Sequence, residues 1–224
     1  QMIFLGLEIY QTRIWLPVVS LPGALNFFAL SIVSIYFVLG VKREIRTFSL
    51  VVSPVLFTLL SLAVLSYGHV SKPFNTPMTI PFLIHIAAIF IAYGALFVSF
   101  TSAVFYLMQS NYLKSKKAGP LFYKLPSLES LHEIINETMN WGFVFLTLGI
   151  VVAGFWLLKV EGSLTEWHSV AKLFVSLLVW FFYLVIMVGK GLGFSKGKNA
   201  ALFSVGAFGF TMVAFLGARF LEIF

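Results

Sequence analysis

Charge is confined to short stretches of this chain, and the runs between them stay apolar for about 20 residues at a time. A run of that length crosses the hydrocarbon core of a bilayer as a helix, because a helix pairs every backbone N–H and C=O within its own segment. Such runs fall at roughly 22–40, 48–68, 80–108, 140–158, 169–189 and 200–220. They are apolar on nearly every face and lack the two-residue alternation of a membrane β-barrel. Composition agrees: 60% of the residues are hydrophobic and 10% are charged, where a soluble domain carries roughly 25% charged residues. The expectation is an all-α, polytopic integral membrane helix bundle, a single transmembrane domain over 1–224 with about six complete spans.

The net charge of +7 would suit a nucleic-acid partner, but its distribution points to a membrane instead. Ten of the fifteen Lys and Arg residues lie in three loops: Lys42, Arg43 and Arg46; Lys114, Lys116, Lys117 and Lys124; Lys190, Lys196 and Lys198. These loops alternate with ones holding Arg13, Lys72, Lys159, Lys172 and Arg219. The positive-inside rule puts the first group in the cytoplasm and both chain ends outside. The pattern implies a membrane crossed several times, with membrane lipid as partner and no nucleic acid. Met2 to Leu7 reads like the end of an earlier helix, so residues before Gln1 are expected.

One cytoplasmic stretch has a different pattern. Leu128, Leu131, Ile134, Ile135 and Met139 recur at three- and four-residue spacing, interleaved with Glu129, Glu133 and Glu137. This predicts an amphipathic helix over 126–139 lying on the membrane surface. Pro126 and Ser127 are start signals, and Ser130 with Glu133 has capping-box spacing.

Several chemistries are excluded outright. The chain has no cysteine, so thiolate metal sites, disulfides and cysteine nucleophiles are absent, and all eight acidic residues are glutamates. Gly189-Lys190-Gly191-Leu192-Gly193 has neither the strand nor the spacing of a phosphate loop. Of the four histidines, His132 falls on the surface helix and is expected to be solvated. His69, His85 and His168 all fall at the opposite face. His69 and His168 also fit plain interfacial polar residues. His85 lies about one turn inside a span, where an ionisable residue is expensive; it is either a candidate site or a packing histidine satisfied by a hydrogen bond. Tyr93 follows eight residues later with Ala88 and Ala92 beside it, a face that either packs on neighbours or admits a flat ligand. Trp156, Trp167 and Tyr183 sit where belt aromatics are common.

The order of several elements resembles a known family. Pro81-Phe82-Leu83-Ile84-His85-Ile86 is followed by Ala92-Tyr93-Gly94-Ala95 and Phe105-Tyr106-Leu107-Met108-Gln109. Then come Leu125-Pro126-Ser127-Leu128-Glu129-Ser130-Leu131, Gly142-Phe143 through Ile150, Gly154 with Trp156, Val179-Trp180-Phe181-Phe182-Tyr183, and Phe215-Leu216-Gly217. This series, from about Leu16 to the end, is similar to the cytochrome c assembly proteins of the CcsA/ResC/HemX type. The resemblance is closer to the HemX-like branch, because the family's tryptophan-rich outer loop is degraded. Aligned from Trp180 and Tyr183, only Trp167 and Lys172 match that loop; Ser169, Val170 and Ala171 replace its Trp, Asp and Pro. A second family histidine falls on Val188, and the last has no counterpart before Phe224.

The resemblance implies a protein of cytochrome c biogenesis that binds or presents haem at the outer membrane face. His85 would ligate the haem iron (b type), with His168 or His69 as second axial ligand. Trp167, Lys172, Tyr93 and Trp180 would complete the pocket. It implies a separate membrane partner subunit, apocytochrome c as the acceptor of haem, and haem-lyase activity only as part of that larger system. The alternative is a non-catalytic structural or assembly subunit of a membrane redox complex on the same fold. A transporter is disfavoured, since no charged residue lies mid-span and no broken-helix pair is evident.

Overall fold

The structure is a computed structural model that describes residues 21–42, 48–66, 79–115, 125–157, 167–193 and 197–220. Among the described residues every regular element is a helix. In chain order they are α1 (Leu21–Lys42), α2 (Ser49–Leu65), α3 (Ile80–Ser115), α4 (Leu128–Leu157), α5 (Trp167–Gly191) and α6 (Lys198–Phe220). Six helices thus stand where six spans were expected. Among the described residues, four stretches are long and apolar enough to cross a membrane: Leu21–Gly40, Ile80–Ser115, Leu128–Trp156 and Leu173–Gly191. The apolar α2 is shorter, at 17 residues, and carries Pro54 inside it. Large apolar side chains stand fully outward, among them Phe57 at 75% and Phe155 at 66% exposure, as lipid-facing residues do.

The helices group into two compact units, Gln1–Thr79 and Ile80–Phe224. In the first, α1 packs against α2. Hydroxyls there turn back on their own helix: Ser31 Oγ donates to Phe28 O and Thr58 Oγ1 to Pro54 O, at 2.7 and 2.8 Å. Such bonds keep a polar side chain satisfied in an apolar medium.

The second unit is built on an antiparallel pair, α3 against α4. Ala88, Ala92, Ala95, Ser99 and Ser102 recur on α3 at three- and four-residue steps, and all are buried. Leu131, Ile135, Thr138, Gly142, Leu146 and Gly149 recur the same way on α4 and are buried too. Small residues on both sides let the two backbones approach closely, which is how membrane helices gain packing energy without a hydrophobic drive. A Cβ on Gly142 would lie 2.5 Å from Leu96 Cδ2, and one on Gly149 would lie 2.7 Å from Ile89 Cδ1. α6 joins this pair where Ala103, Ile135 and Ala201 meet, each fully buried. Beside them Ser99 Oγ donates to Ile135 O at 3.2 Å and lies 2.9 Å from Ser204 Oγ, so Ser204 is the donor of that pair.

Two details differ from the sequence expectation. The amphipathic stretch and the fourth span are one continuous helix, α4. Leu131, Ile134 and Ile135 are fully buried, so the apolar face that was expected to lie on lipid is covered by protein. Its N-terminus is capped by Ser127, whose Oγ receives the Ser130 N–H at 3.2 Å, rather than by a Ser130–Glu133 box. At the same end of the unit, the Gly-rich segment that closes α5 is a helix stop. Gly193 has φ of 82°, and its N–H bonds Lys190 O at 3.1 Å.

Candidate functional site

His85 stands in the second turn of α3, half-buried against α4. Its Nδ1 is 2.7 Å from the carbonyl oxygen of Gly149. A carbonyl only accepts, so Nδ1 carries the hydrogen and donates it, and the lone pair of the neutral ring sits on Nε2. This is the arrangement in which metal-binding histidines are held: one ring nitrogen tied to a protein oxygen, the other left to ligate. Gly149 makes it possible twice over. Its carbonyl is the acceptor, and its lack of a side chain lets α3 close on it at Ile89 and Ala88.

Two turns further along α4 from Gly149 stands Trp156, whose ring packs on Phe82 with centroids 5.6 Å apart. Phe82 is three residues before His85 on α3. The Trp156 Nε1 atom is buried and has no acceptor among the described residues. The end of the α3–α4 seam therefore combines an oriented imidazole, an aromatic wall and an unused donor.

The other predicted site residues distribute differently. Tyr93 lies two turns deeper on α3. Buried Tyr183 has its OH 3.4 Å from Thr211 Oγ1, whose own hydrogen goes to Ala207 O at 2.8 Å, so Tyr183 is the donor of that pair. Trp180 is turned to α4: its Nε1 donates to Thr147 Oγ1 at 2.9 Å and its ring stacks on Phe143 at 6.1 Å. Trp167, His168 and Lys172 occupy the first turns of α5, where only the backbone is described, and His69 lies outside the described residues. Among the described residues no three His or Glu side chains gather to hold a bare metal ion.

At the opposite end of the unit, His132 departs from the solvated role expected of it. Asn136 Nδ2 donates to its Nε2 at 2.9 Å, which leaves the hydrogen on Nδ1, and that atom is buried without a partner. Tyr106 lies beside the ring, and Lys190 Nζ clasps α5 to α4 through Asn136 O at 3.3 Å and Asn140 Oδ1 at 2.8 Å.

The model of the cytochrome c assembly proteins matches residues 18–224. The chain belongs to that family. Protein HemX of Bacillus subtilis (strain 168) is 28% identical over 86% of this chain and 70% of its own length. The cytochrome c biogenesis protein CcsA of Guillardia theta is 21% identical, over 92% of this chain and 74% of its own. CcsA of Prochlorococcus marinus (strain MIT 9515) is 25% identical over 63% of this chain and 51% of its own. No solved structure matches.

For a cytochrome c assembly protein, sequence reasoning found His85 but missed its anchor. A backbone carbonyl has no signature of its own. The available signal was the heptad spacing of Gly142, Gly149 and Trp156, which puts all three on one face of α4. Trp156 read as a belt aromatic because position alone does not show whether an indole N–H is satisfied.

Proposed function

We propose that this membrane protein acts in cytochrome c biogenesis by holding haem at the His85 end of its bundle, at the outer membrane face, for delivery to apocytochrome c. The observation that carries the reading is the 2.7 Å contact between His85 Nδ1 and Gly149 O. It sets the tautomer and direction of an imidazole inside a membrane span, where an ionisable residue needs a reason to be. Haem iron takes neutral imidazole as its axial ligand, and the donor set at this end fits: one oriented nitrogen, the flat faces of Phe82 and Trp156, and an unused N–H.

The haem is cargo, and the thioether chemistry that follows belongs to haem and apocytochrome. The chain's own part is to ligate through His85 Nε2, to wall the macrocycle with aromatic rings and to keep it oriented. A second histidine of the outer face would supply the other axial ligand, and Trp167 and Lys172 enter the reading because they match the family's outer loop in sequence. A separate membrane subunit completes the lyase, and the chain sits in a bacterial inner membrane with its lysine-rich loops in the cytoplasm.

The test is an absorption spectrum and pyridine haemochrome assay on the protein purified in mild detergent, wild type beside His85→Ala. The expected result is a Soret band in the wild type and at least a tenfold weaker haem affinity in the variant, since an axial ligand is lost. Equal haem in both samples, or none in either after haem is supplied, removes His85 from the role. The second of these leaves a structural assembly subunit as the reading.

A further inference from the structure

Trp156 and Trp180 are the same residue type in neighbouring helices, and their indole nitrogens are treated differently. Trp180 Nε1 has an acceptor in Thr147 Oγ1 at 2.9 Å. Trp156 Nε1 is sealed from solvent and has no acceptor among the described residues. Burying an N–H without a partner is unfavourable enough that native structures rarely leave one so, and an orphan of this kind asks for an explanation. Stacking on Phe82 at 5.6 Å accounts for the ring. It does not account for the choice of an indole, since phenylalanine would supply the same packing with no donor to satisfy.

An indole N–H donates and never accepts, so its complement is an oxygen acceptor, and an anionic one binds most strongly. The location narrows the choice. Trp156 lies seven residues beyond Gly149 on the same face of α4, about 10 Å along the helix. Phe82, which its ring touches, is one turn from His85 on α3. The donor therefore stands at the end of the seam that holds the oriented imidazole, one ring contact and one helical turn away from it.

We propose that Trp156 Nε1–H receives a carboxylate of the haem held at His85. The inference rests on the haem reading above and goes beyond it by naming the polar contact that orients the macrocycle. It makes Trp156 a positioning residue: it touches the cargo's periphery, while iron ligation stays with His85. A carboxylate accepting this bond would satisfy a buried donor left open at this end, and it would fix which edge of the flat ligand faces α4.

The experiment uses the whole chain in detergent, wild type and Trp156→Phe, each titrated with haem and with haem dimethyl ester while the Soret band is followed. Trp156→Phe keeps the aromatic contact and removes only the N–H. The expected result is about a tenfold loss of haem affinity in the variant, as for a charge-assisted hydrogen bond, with ester affinity unchanged within about twofold. Equal losses for both ligands, or no loss for either, would overturn the proposal while leaving the His85 reading intact. A wild type that binds neither ligand overturns both. If Trp156→Phe fails to fold, the wild type still decides: equal affinity for haem and its ester means that no carboxylate is read at this end.

Discussion

Gly149 serves the seam through its carbonyl and through the side chain it lacks, and the two roles separate under substitution. Adding a Cβ there meets Ile89 Cδ1 at 2.7 Å and Cγ1 at 2.9 Å, both closer than real contacts allow. Overpacking of this kind costs about 1–3 kcal/mol, offset by up to about 1 kcal/mol from the better helix propensity of alanine. Gly149→Ala should therefore lose about 1 kcal/mol in thermal or SDS unfolding followed in micelles. Gly154, five residues on, has open space where its Cβ would go, so Gly154→Ala should be neutral or slightly stabilising in the same assay. If the two substitutions behave alike, the close approach of α3 to α4 at His85 is not what holds the seam.

At the scale of elements, the question is what α4 is. A surface helix over 126–139 followed by a separate span would have a break near residue 140, and proline is well tolerated at the first turn of a helix that starts there. In the continuous helix Leu128–Leu157, position 141 is interior. Proline there removes a backbone hydrogen bond and clashes with the preceding turn, at about 3 kcal/mol or more. Trp141 is 55% exposed, so its side chain contributes little to the core. Trp141→Pro should lower the unfolding midpoint sharply while Trp141→Ala barely moves it; equal effects would restore the two-helix picture. The sequence was legible up to this point for a physical reason. Apolar runs bounded by charge mark where helices lie, and the three-and-four spacing of Leu131, Ile134, Ile135 and Met139 marks a face. Neither says what covers that face, and the interleaved glutamates point equally to lipid headgroups and to solvent beyond the membrane. His85 was legible because ionisable groups are rare at that depth. Gly149 O and the unpartnered Trp156 Nε1 were not, because a backbone acceptor and an unsatisfied donor exist only once two helices meet.

For the molecule as a whole, function depends on which way round it sits. The proposed delivery of haem to apocytochrome c at the outer face requires the His85 end outward, and the charge pattern favours that orientation. Ten of the fifteen Lys and Arg residues fall in three alternate clusters along the chain, and Lys114 and Lys190 stand in the last turns of α3 and α5, at the ends farthest from His85. Reporter fusions should follow the same alternation. A fluorescent protein that folds only in the cytoplasm should be active after residue 120 or 195, and a phosphatase that folds only outside should be active in the 67–78 and 158–166 segments. Neutralising Lys114, Lys116, Lys117 and Lys124 together should produce a mixed population, because that loop carries the largest of the three clusters. Reporters active on the opposite sides would turn the oriented imidazole toward the cytoplasm. The pairing of His85 with Gly149 would survive that result as a binding site, but it would then receive haem where haem is made rather than present it where cytochrome c matures.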